Sequence, residues 1–340
     1  MKKVAVVILN YNGQRFLEKF LPIVIEHSSD VADVVVADNA STDGSVAYMR
    51  EHFPDIRLIL NENNGGFSTG YNLALRQVEA EYYCLLNSDI EVTPHWIEPV
   101  IALMDNDTDI AACQPKLLSY YEKEKFEYAG AGGGFIDKYG YPFCRGRVFQ
   151  HLEVDHGQYD DVKEVFWATG ACMFVRSDIY HRFGGLDDTF FAHMEEIDFC
   201  WRVKNEGFKV MYCPQSKVYH IGGGTLPKSS ARKTYLNFRN NLSLLMKNLP
   251  DGKVFGTIAY RILLDWVAGL KFLAQGSLPD LWAVTRAHLS FYRHLPRLRK
   301  KRRTLKHTHV SQVYQKNIVF KHFLEKKKLY TELSEGDFSL

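Results

Sequence analysis

The sequence predicts an α/β fold built on an open, mostly parallel sheet flanked by helices. Three observations carry that prediction. The chain of 340 residues is 46% hydrophobic and 24% charged, the balance of a globular protein with one large core or two smaller ones. Its first ninety residues repeat a unit of apolar strand, polar loop and helix, which is the pattern of a parallel sheet. Asn and Asp collect in the loops after those strands, the side of such a sheet on which ligands bind.

Residues 3 to 9 are a continuous run dominated by Val, Ile and Leu and closed by Asn10-Tyr11-Asn12-Gly13, so they read as a strand buried on both faces and then a loop. Phe16, Leu17, Phe20 and Leu21 mark a helix. The unit repeats: strand Val34 to Ala37, the loop Asp38-Asn39-Ala40-Ser41-Thr42-Asp43-Gly44, and a helix from Ser45. A third strand, Arg57 to Leu60, leads through Asn61 to Gly66 into a helix around Gly70 to Val78. A fourth, Tyr82 to Leu86, ends at Asn87-Ser88-Asp89. Residues 119 to 164, rich in Gly, Tyr and charge, predict an excursion of short strands and mobile loops that covers the site. The core resumes with a strand over Val165 to Val175, then another over Phe208 to Cys213, and Lys217 to His220 leads into Gly222-Gly223-Gly224. From Ser229 the apolar spacing turns helical (Tyr235, Phe238, Leu242, Leu245). A second helix runs over Phe255 to Leu273 and a third over Leu278 to Tyr292. The basic run Arg293 to Arg303 closes them, as in amphipathic helices that lie on an anionic bilayer surface. The chain therefore divides into one domain of two halves, 1–110 on the nucleotide-binding side and 111–248 on the acceptor and catalytic side, and a helical, basic extension, 249–340.

Several functions are excluded. The first strand lacks GxGxxG and no GxxxxGK[ST] occurs, so a pyrophosphate is not expected on a glycine-rich helix N-terminus. The six cysteines show no paired spacing and sit in apolar runs, as buried thiols in a reducing compartment do. The N-terminus carries no cleavage site and no window is apolar enough to span a bilayer. The basic run has few interleaved aromatics and no nucleic-acid-binding fold beside it, which argues against nucleic acid.

The chemistry concentrates in Phe190 to Arg202. Glu195, Glu196 and Asp198 fall within four positions, between large apolar residues. Carboxylates against an apolar wall hold protons more tightly, and one of them could act as a general base near neutral pH. Glu195 also fits a helix N-terminal acid answering the dipole. Asp89, at a strand end, suits a divalent cation that bridges phosphate oxygens.

Five ordered motifs give the chain a resemblance: Leu9-Asn10-Tyr11-Asn12; Asp38 to Gly44; Asn63 to Asn72; Asn87-Ser88-Asp89; and Gly184-Gly185-Leu186-Asp187 leading into Phe190 to Arg202, then His220. Over roughly residues 3 to 248 it resembles the family 2 inverting glycosyltransferases of the GT-A fold, especially rhamnosyltransferase-like and galactofuranosyltransferase-like bacterial members. The resemblance implies that Asp38 bonds a pyrimidine base, with Asp43 and the Tyr11 loop beside the nucleoside. It implies nucleotide-sugar contacts from Asn10, Asn12, Asn39, Asn63, Gly66, Asn72, Asn87, Ser88 and Arg239, and acceptor contacts around Trp167 and Gly170. Asp89 resembles the last acid of the family's DxD and, with His220, implies a site for Mn²⁺ or Mg²⁺. Asn87 stands where the family has its first Asp. Glu195-Glu196 stands where the family usually has Glu-Asp, so Glu196 is the expected base, with Asp198 its rival.

The function implied is transfer of a sugar from a UDP- or dTDP-sugar to a glycan or polyprenyl-linked glycan, peripheral to the cytoplasmic face of a bacterial membrane. Two rivals stand beside it: a sugar-nucleotide pyrophosphorylase, which would want a basic, glycine-rich loop after the first strand, and a non-catalytic nucleotide-sugar or glycan-binding protein.

Overall fold

A computed structural model describes residues 2–222 and 230–340. The sequence-read positions Gly223, Gly224 and Ser229 lie outside the described residues.

The first half alternates as its apolar pattern requires: β1 (Val4–Asn10), α1 (Gln14–Ser28), β2 (Ala32–Asp38), α2 (Ser45–His52), β3 (Arg57–Leu60), α3 (Gly66–Leu75), β4 (Tyr82–Asn87), β5 (Ile90–Val92), α4 (Glu98–Asn106) and β6 (Ile110–Ser119). The excursion supplies β7 (Gly134–Asp137), β8 (Pro142–Cys144), β9 (Arg147–Val148), β10 (His151–Leu152) and β11 (Lys163–Glu164). Then come β12 (Cys172–Arg176), α5 (Ser177–Arg182), α6 (Glu195–Asn205), β13 (Lys209–His220), α7 (Ala231–Asn248), α8 (Val254–Ala274), α9 (Leu278–Arg302), β14 (Val313–Tyr314) and α10 (Ile318–Phe323).

One nine-stranded sheet runs β11-β13-β6-β12-β4-β1-β2-β3, with β5 beside β13. β1 pairs in parallel with β2 and β4, β2 with β3, and β6 with β13, whereas β12 is antiparallel to both β4 and β6. Six strands therefore point one way, and their carboxyl ends lie along one edge. β1 and β4 are buried through nearly their whole length, which explains their unbroken apolar runs. Four strands of the excursion and β14 from the C-terminal part form a five-stranded sheet, β10-β9-β8-β7-β14, while β11 joins the main sheet beside β13.

Three expectations change. Of the strand expected over Val165 to Val175 only β12 forms, because Gly134 accepts the backbone of Phe166 and Trp167 and draws that stretch out of the main sheet. The third helix, expected to end at Tyr292, runs on through the basic run as α9, and Leu298 within that run is buried. Residues 249–340 are also no appendage. Tyr314, Ile318 and Leu333 are buried in the same core as β1, α6 and α7, β14 pairs with β7, and Ile318 N donates to Asp137 Oδ2 at 3.0 Å. The 1–110 and 111–248 spans both contribute strands to the main sheet, where β12 inserts between β4 and β6.

Candidate active site

The carboxyl ends of β1, β2 and β4 build one side of a cleft. Asn10 Nδ2 donates to Asp38 Oδ2 at 3.0 Å, joining the ends of two adjacent strands. Asp38 Oδ1 accepts from the Ser41 N–H at 2.8 Å and pins the loop, whose Ala40 takes a φ of 62°. Asn12 Oδ1 accepts from the Thr42 N–H at 2.7 Å, and Asp43 accepts from the N–H groups of Gln14 and Ser45. Burial pushes the Asp43 carboxyl up, but those donors outweigh it and hold the group below its usual range. The paired loops leave an open depression of about 440 Å³ lined by Asn12, Gln14, Arg15, Glu18 and Asp43. A larger groove, about 550 Å³, opens at the opposite ends of β1 to β3 beside Lys2, Asp33 and Arg57, where none of the motifs reaches. The cleft at the carboxyl ends is the one with the chemistry.

The Asn39 amide donates to Asn64 Oδ1 and Gly66 O, at 3.0 and 3.1 Å, and ties the second loop to the start of α3. Gly66, with a φ of 83°, has the backbone oxygen of Phe191 2.4 Å from where a Cβ would stand, so only glycine fits. Phe67 N donates to that same oxygen at 2.7 Å. Through these contacts α3 carries the nucleotide-side loops onto the segment before Glu195. Asn63 is exposed at the loop's tip, and Tyr11 is half-buried beside the first loop.

Asp89, just before β5, and His220, at the end of β13, come together where those two strands pair. Asp89 Oδ1 and His220 Nε2 are 3.1 Å apart, and both residues are buried. On the far side of the imidazole, Glu127 Oε2 lies 3.1 Å from Nδ1, at ion-pair distance. Burial alone would lower the imidazole's proton affinity, but the two carboxylates outweigh it and raise it well above the ordinary range. Burial raises Asp89, and the attraction of His220 outweighs that and holds the carboxyl low. An oxygen and an imidazole nitrogen 3.1 Å apart are spaced as two neighbouring ligands on a cation with bonds of about 2.1 Å. The pair therefore fits a divalent cation. Among the described residues no group of three or more His, Cys, Asp and Glu side chains is arranged to hold a metal, so the remaining ligands would come from the donor or water.

The acidic segment opens α6. Glu195 is 5% exposed, and burial together with the neighbouring Glu196 raises its proton affinity well above the usual range. Burial raises Glu196 to about 7, with backbone N–H groups of the helix start pulling the other way. Each retains a buried Oε2 with no hydrogen-bond partner. The two adjacent carboxyls are thus pushed to different proton affinities, and the one poised near neutrality is Glu196. Glu196 Cβ lies 3.8 Å from where a Cβ on Gly170 would stand, and Ala171 O, the next residue's carbonyl, accepts from Asn87 N at 2.9 Å. The base segment and the Asn87-Ser88-Asp89 turn are therefore separated by one backbone step of the 170–171 strand entry.

Four sequence-read residues are placed differently from expectation. Asp198 is fully buried and saturated by Arg202 Nε, Lys247 Nζ and Asn248 Nδ2 at 2.7–2.8 Å. It is a structural ion-pair centre, and the rivalry for the base resolves against it. Asn72 spends both amide hydrogens on Leu186 O and Asp188 Oδ1, and its oxygen accepts from Tyr180 OH and Leu186 N. With no capacity left for a nucleotide, it fastens α3 to the 186–188 turn. Trp167 donates its indole N–H to Phe135 O at 2.9 Å and is 4% exposed, so it anchors β7 and does not face an acceptor. Arg239 turns its guanidinium to the carbonyls of Thr189 and Phe190, at 3.1 and 2.8 Å, so it positions the base loop.

Sequence reasoning missed other parts. Asn240 donates to the carbonyls of Phe190, Ala192 and His193 at 2.7–3.0 Å, and Lys301 of α9 reaches Thr189 Oγ1 at 2.7 Å as well as Asp187. The segment Asn240-Asn241 sits in an otherwise apolar helical pattern, a signal that could have found the first. Nothing in the aperiodic 119–164 stretch singles out Glu127.

Residues 5–159 match the family model described as "Glycosyl transferase family 2". The chain is 25% identical over 271 residues to a low-salt glycan biosynthesis hexosyltransferase of Haloferax volcanii, covering 78% of this chain and 82% of that one. It is 24% identical over 312 residues to an N-acetylglucosaminyl-diphospho-decaprenol L-rhamnosyltransferase of Mycobacterium tuberculosis, covering 87% and 95%. Among solved structures it is similar to a mannosyltransferase from Pyrobaculum calidifontis in complex with GDP-Man and Mn²⁺, with a TM-score of 0.53 at 17% identity over 88% of this chain and 84% of that one. That likeness shows the fold.

Proposed function

From the premise that the chain is a glycosyltransferase of family 2 with the GT-A fold, working in glycan or polysaccharide biosynthesis, we propose that it transfers a hexose with inversion from a UDP- or dTDP-sugar to a polyprenyl-linked glycan. The observation that carries this reading is the convergence of the Asp89–His220 pair and the near-neutral Glu196 carboxyl at the carboxyl ends of one sheet. The rhamnosyltransferase relative, whose name gives a diphospho-decaprenol acceptor, supports the lipid-linked class.

In the proposed step Glu196, ionised, takes the proton of the acceptor hydroxyl as its oxygen bonds the anomeric carbon. The bond from that carbon to the diphosphate oxygen breaks on the opposite face, and the nucleoside diphosphate leaves with the electron pair. Asp38, Asn10, Asn12 and Asp43 hold the nucleoside, and Gly170 lets the acceptor approach Glu196. Asp89 and His220 would hold Mn²⁺ or Mg²⁺, which neutralises charge on the leaving diphosphate.

Helices α8 and α9 support a surface location. In α8 the buried face carries Arg261 and Asp265, paired at 2.7 Å, while Leu263, Trp266, Val267 and Leu270 are 41% to 61% exposed at helical spacing. A helix with its ion pair inside and its apolar stripe outside is the inverse of one facing water. From 253 to 303 the only acids are Asp265 and Asp280, against eleven Lys and Arg. An apolar stripe in cationic surroundings complements an anionic bilayer. No described helix is long and apolar enough to cross a membrane, so this contact would be peripheral.

A panel of nucleotide sugars read by thermal shift in Mn²⁺ tests the donor reading. One UDP- or dTDP-sugar should raise the melting temperature of the wild type and not of Asp89→Ala; a panel in which none does would overturn it.

A further inference from the structure

The excursion places a charged residue against the metal pair, and nothing in the motifs assigns it. Glu127 lies between Phe126, which is fully buried, and Tyr128, and is itself 6% exposed. Its backbone is locked to β6, with the Glu127 N–H donating to Leu117 O at 3.0 Å, and its carboxylate accepts from the Ala129 N–H. With backbone and side chain both fixed, Oε2 stands 3.1 Å from Nδ1 of His220. The other ring nitrogen, Nε2, faces Asp89 Oδ1.

We propose that Glu127 is a positioning residue for the divalent cation: it fixes the His220 ring and its tautomer so that the Nε2 lone pair is presented beside Asp89. This inference rests on the metal role of Asp89 and His220 proposed above. The argument is geometric. A neutral imidazole carries one N–H and one lone pair, and the nitrogen facing a carboxylate keeps the hydrogen. Both ring nitrogens of His220 face carboxylates while no cation is bound. Once Asp89 is occupied by a cation, Glu127 is the remaining acceptor, so the hydrogen belongs on Nδ1 and Nε2 is left to ligate. Glu127 contacts the far side of the ring from Asp89 and makes no third ligand with the pair, consistent with the absence of a three-residue metal cluster among the described residues. Carboxylates in this outer position typically change metal affinity 10- to 100-fold, about as much as their loss of orientation and ligand basicity predicts. The excursion, held to β6 through Glu127, thereby sets one metal ligand.

The test is Mn²⁺ binding to the full chain, by calorimetry and by the electron paramagnetic resonance of free Mn²⁺, in Glu127→Ala, Glu127→Gln, Asp89→Ala and His220→Ala. Glu127→Ala should weaken Mn²⁺ roughly 10- to 100-fold. Glu127→Gln, which can set an amide oxygen in the carboxylate's place 3.1 Å from Nδ1, should recover much of that loss. In Mg²⁺-loaded protein, ¹⁵N shifts of the His220 ring should report the Nδ1–H tautomer in wild type and Glu127→Gln and a mixture in Glu127→Ala. Should Glu127→Ala not fold, Glu127→Leu, which fills the site without an acceptor, decides: weakened affinity with mixed ring shifts supports the role, and affinity and ring shifts like those of wild type overturn it. Affinity unchanged in folded Glu127→Ala but lost in Asp89→Ala and His220→Ala overturns this inference and leaves the metal site standing. Affinity unchanged in all four variants overturns both.

Discussion

Replacing Glu196 by Gln should make the protein more stable and almost inactive, and the size of the first effect follows from burial. An acid whose folded value lies above its unfolded one binds its proton more tightly in the native state, so native stability falls as pH rises between the two values. For Glu196 the window runs from 4.5 to about 7. At 1.36 kcal/mol per tenfold change in proton affinity the full penalty is about 3 kcal/mol above pH 7, and partial contact with solvent reduces it to about 1–3 kcal/mol. The Gln side chain has nearly the same shape and cannot ionise, so Glu196→Gln should escape the penalty. Scanning fluorimetry at pH 5 and pH 8 should show the wild type losing several degrees relative to the variant at the higher pH and the two nearly equal at the lower. Turnover should fall roughly 10²- to 10⁴-fold in the variant, the usual contribution of a general base, and wild-type kcat should rise with pH to a plateau above about 7. A variant that melts in parallel with wild type at both pH values would show that an ionised, buried carboxylate is not what the fold is holding at this position.

Asp198→Asn should leave the base in place but unpair Arg202 and Lys247 in a dry site, costing about 3–5 kcal/mol of stability by chemical denaturation; a loss of kcat with stability intact would return Asp198 to the chemistry. Asn240→Ala removes three hydrogen bonds from the loop before Glu195 and should lower kcat about 10- to 100-fold with little change in donor affinity, measured by initial rates and titration. Leu263→Ser with Leu270→Ser should abolish sedimentation with phosphatidylglycerol vesicles without lowering the melting temperature, because both side chains already face solvent. If the double variant instead turns an oligomer into a monomer by light scattering, the stripe is a contact between copies.

How much of this was legible in the sequence differs between fold and site. The strand-loop-helix units at residues 4–87 were readable because β1 and β4, covered on both faces, need unbroken apolar runs. Asp89, Glu196 and Asp198 stood out because a polar residue at a strand end or beside an apolar wall departs from its local pattern, and His220 and Asn72 because of the motif resemblance. Neither signal reports a residue's partners: Asn72 is saturated by the 186–188 turn and Asp198 by α7. Those partners lie 49 to 116 positions away, beyond what any local spacing reports. The same distance hid the fate of the basic run. Its charges read as a cationic end facing an anionic surface, whereas Lys301 closes on Asp187 and Thr189 and Arg302 on Asp251 and the end of α7. The exposed apolar stripe belongs to α8, where the apolar residues were visible but the inward direction of Arg261 and Asp265 was not.

The loop before the base explains why so many distant groups are spent on it. Phe191, His193 and Met194 take φ values of 67°, 70° and 75°, a region in which a bulky residue costs of order 1–3 kcal/mol. Such a segment persists only when its surroundings over-determine it. Here the Phe191 carbonyl is taken by Phe67 N, three others by Asn240, and Arg239 adds a further grip on Thr189 and Phe190. The left-handed turn at Met194 ends directly at Glu195, so the strain fixes where α6 begins and hence which way its first carboxylates face. A relaxed loop would let α6 start earlier, with Glu196 turned about 100° per residue around the helix axis and away from Gly170. Helix α7 and the α3 N-terminus are thus the parts that fix where an acidic triplet, common on any helix start, begins and set the Glu196 Cβ beside Gly170.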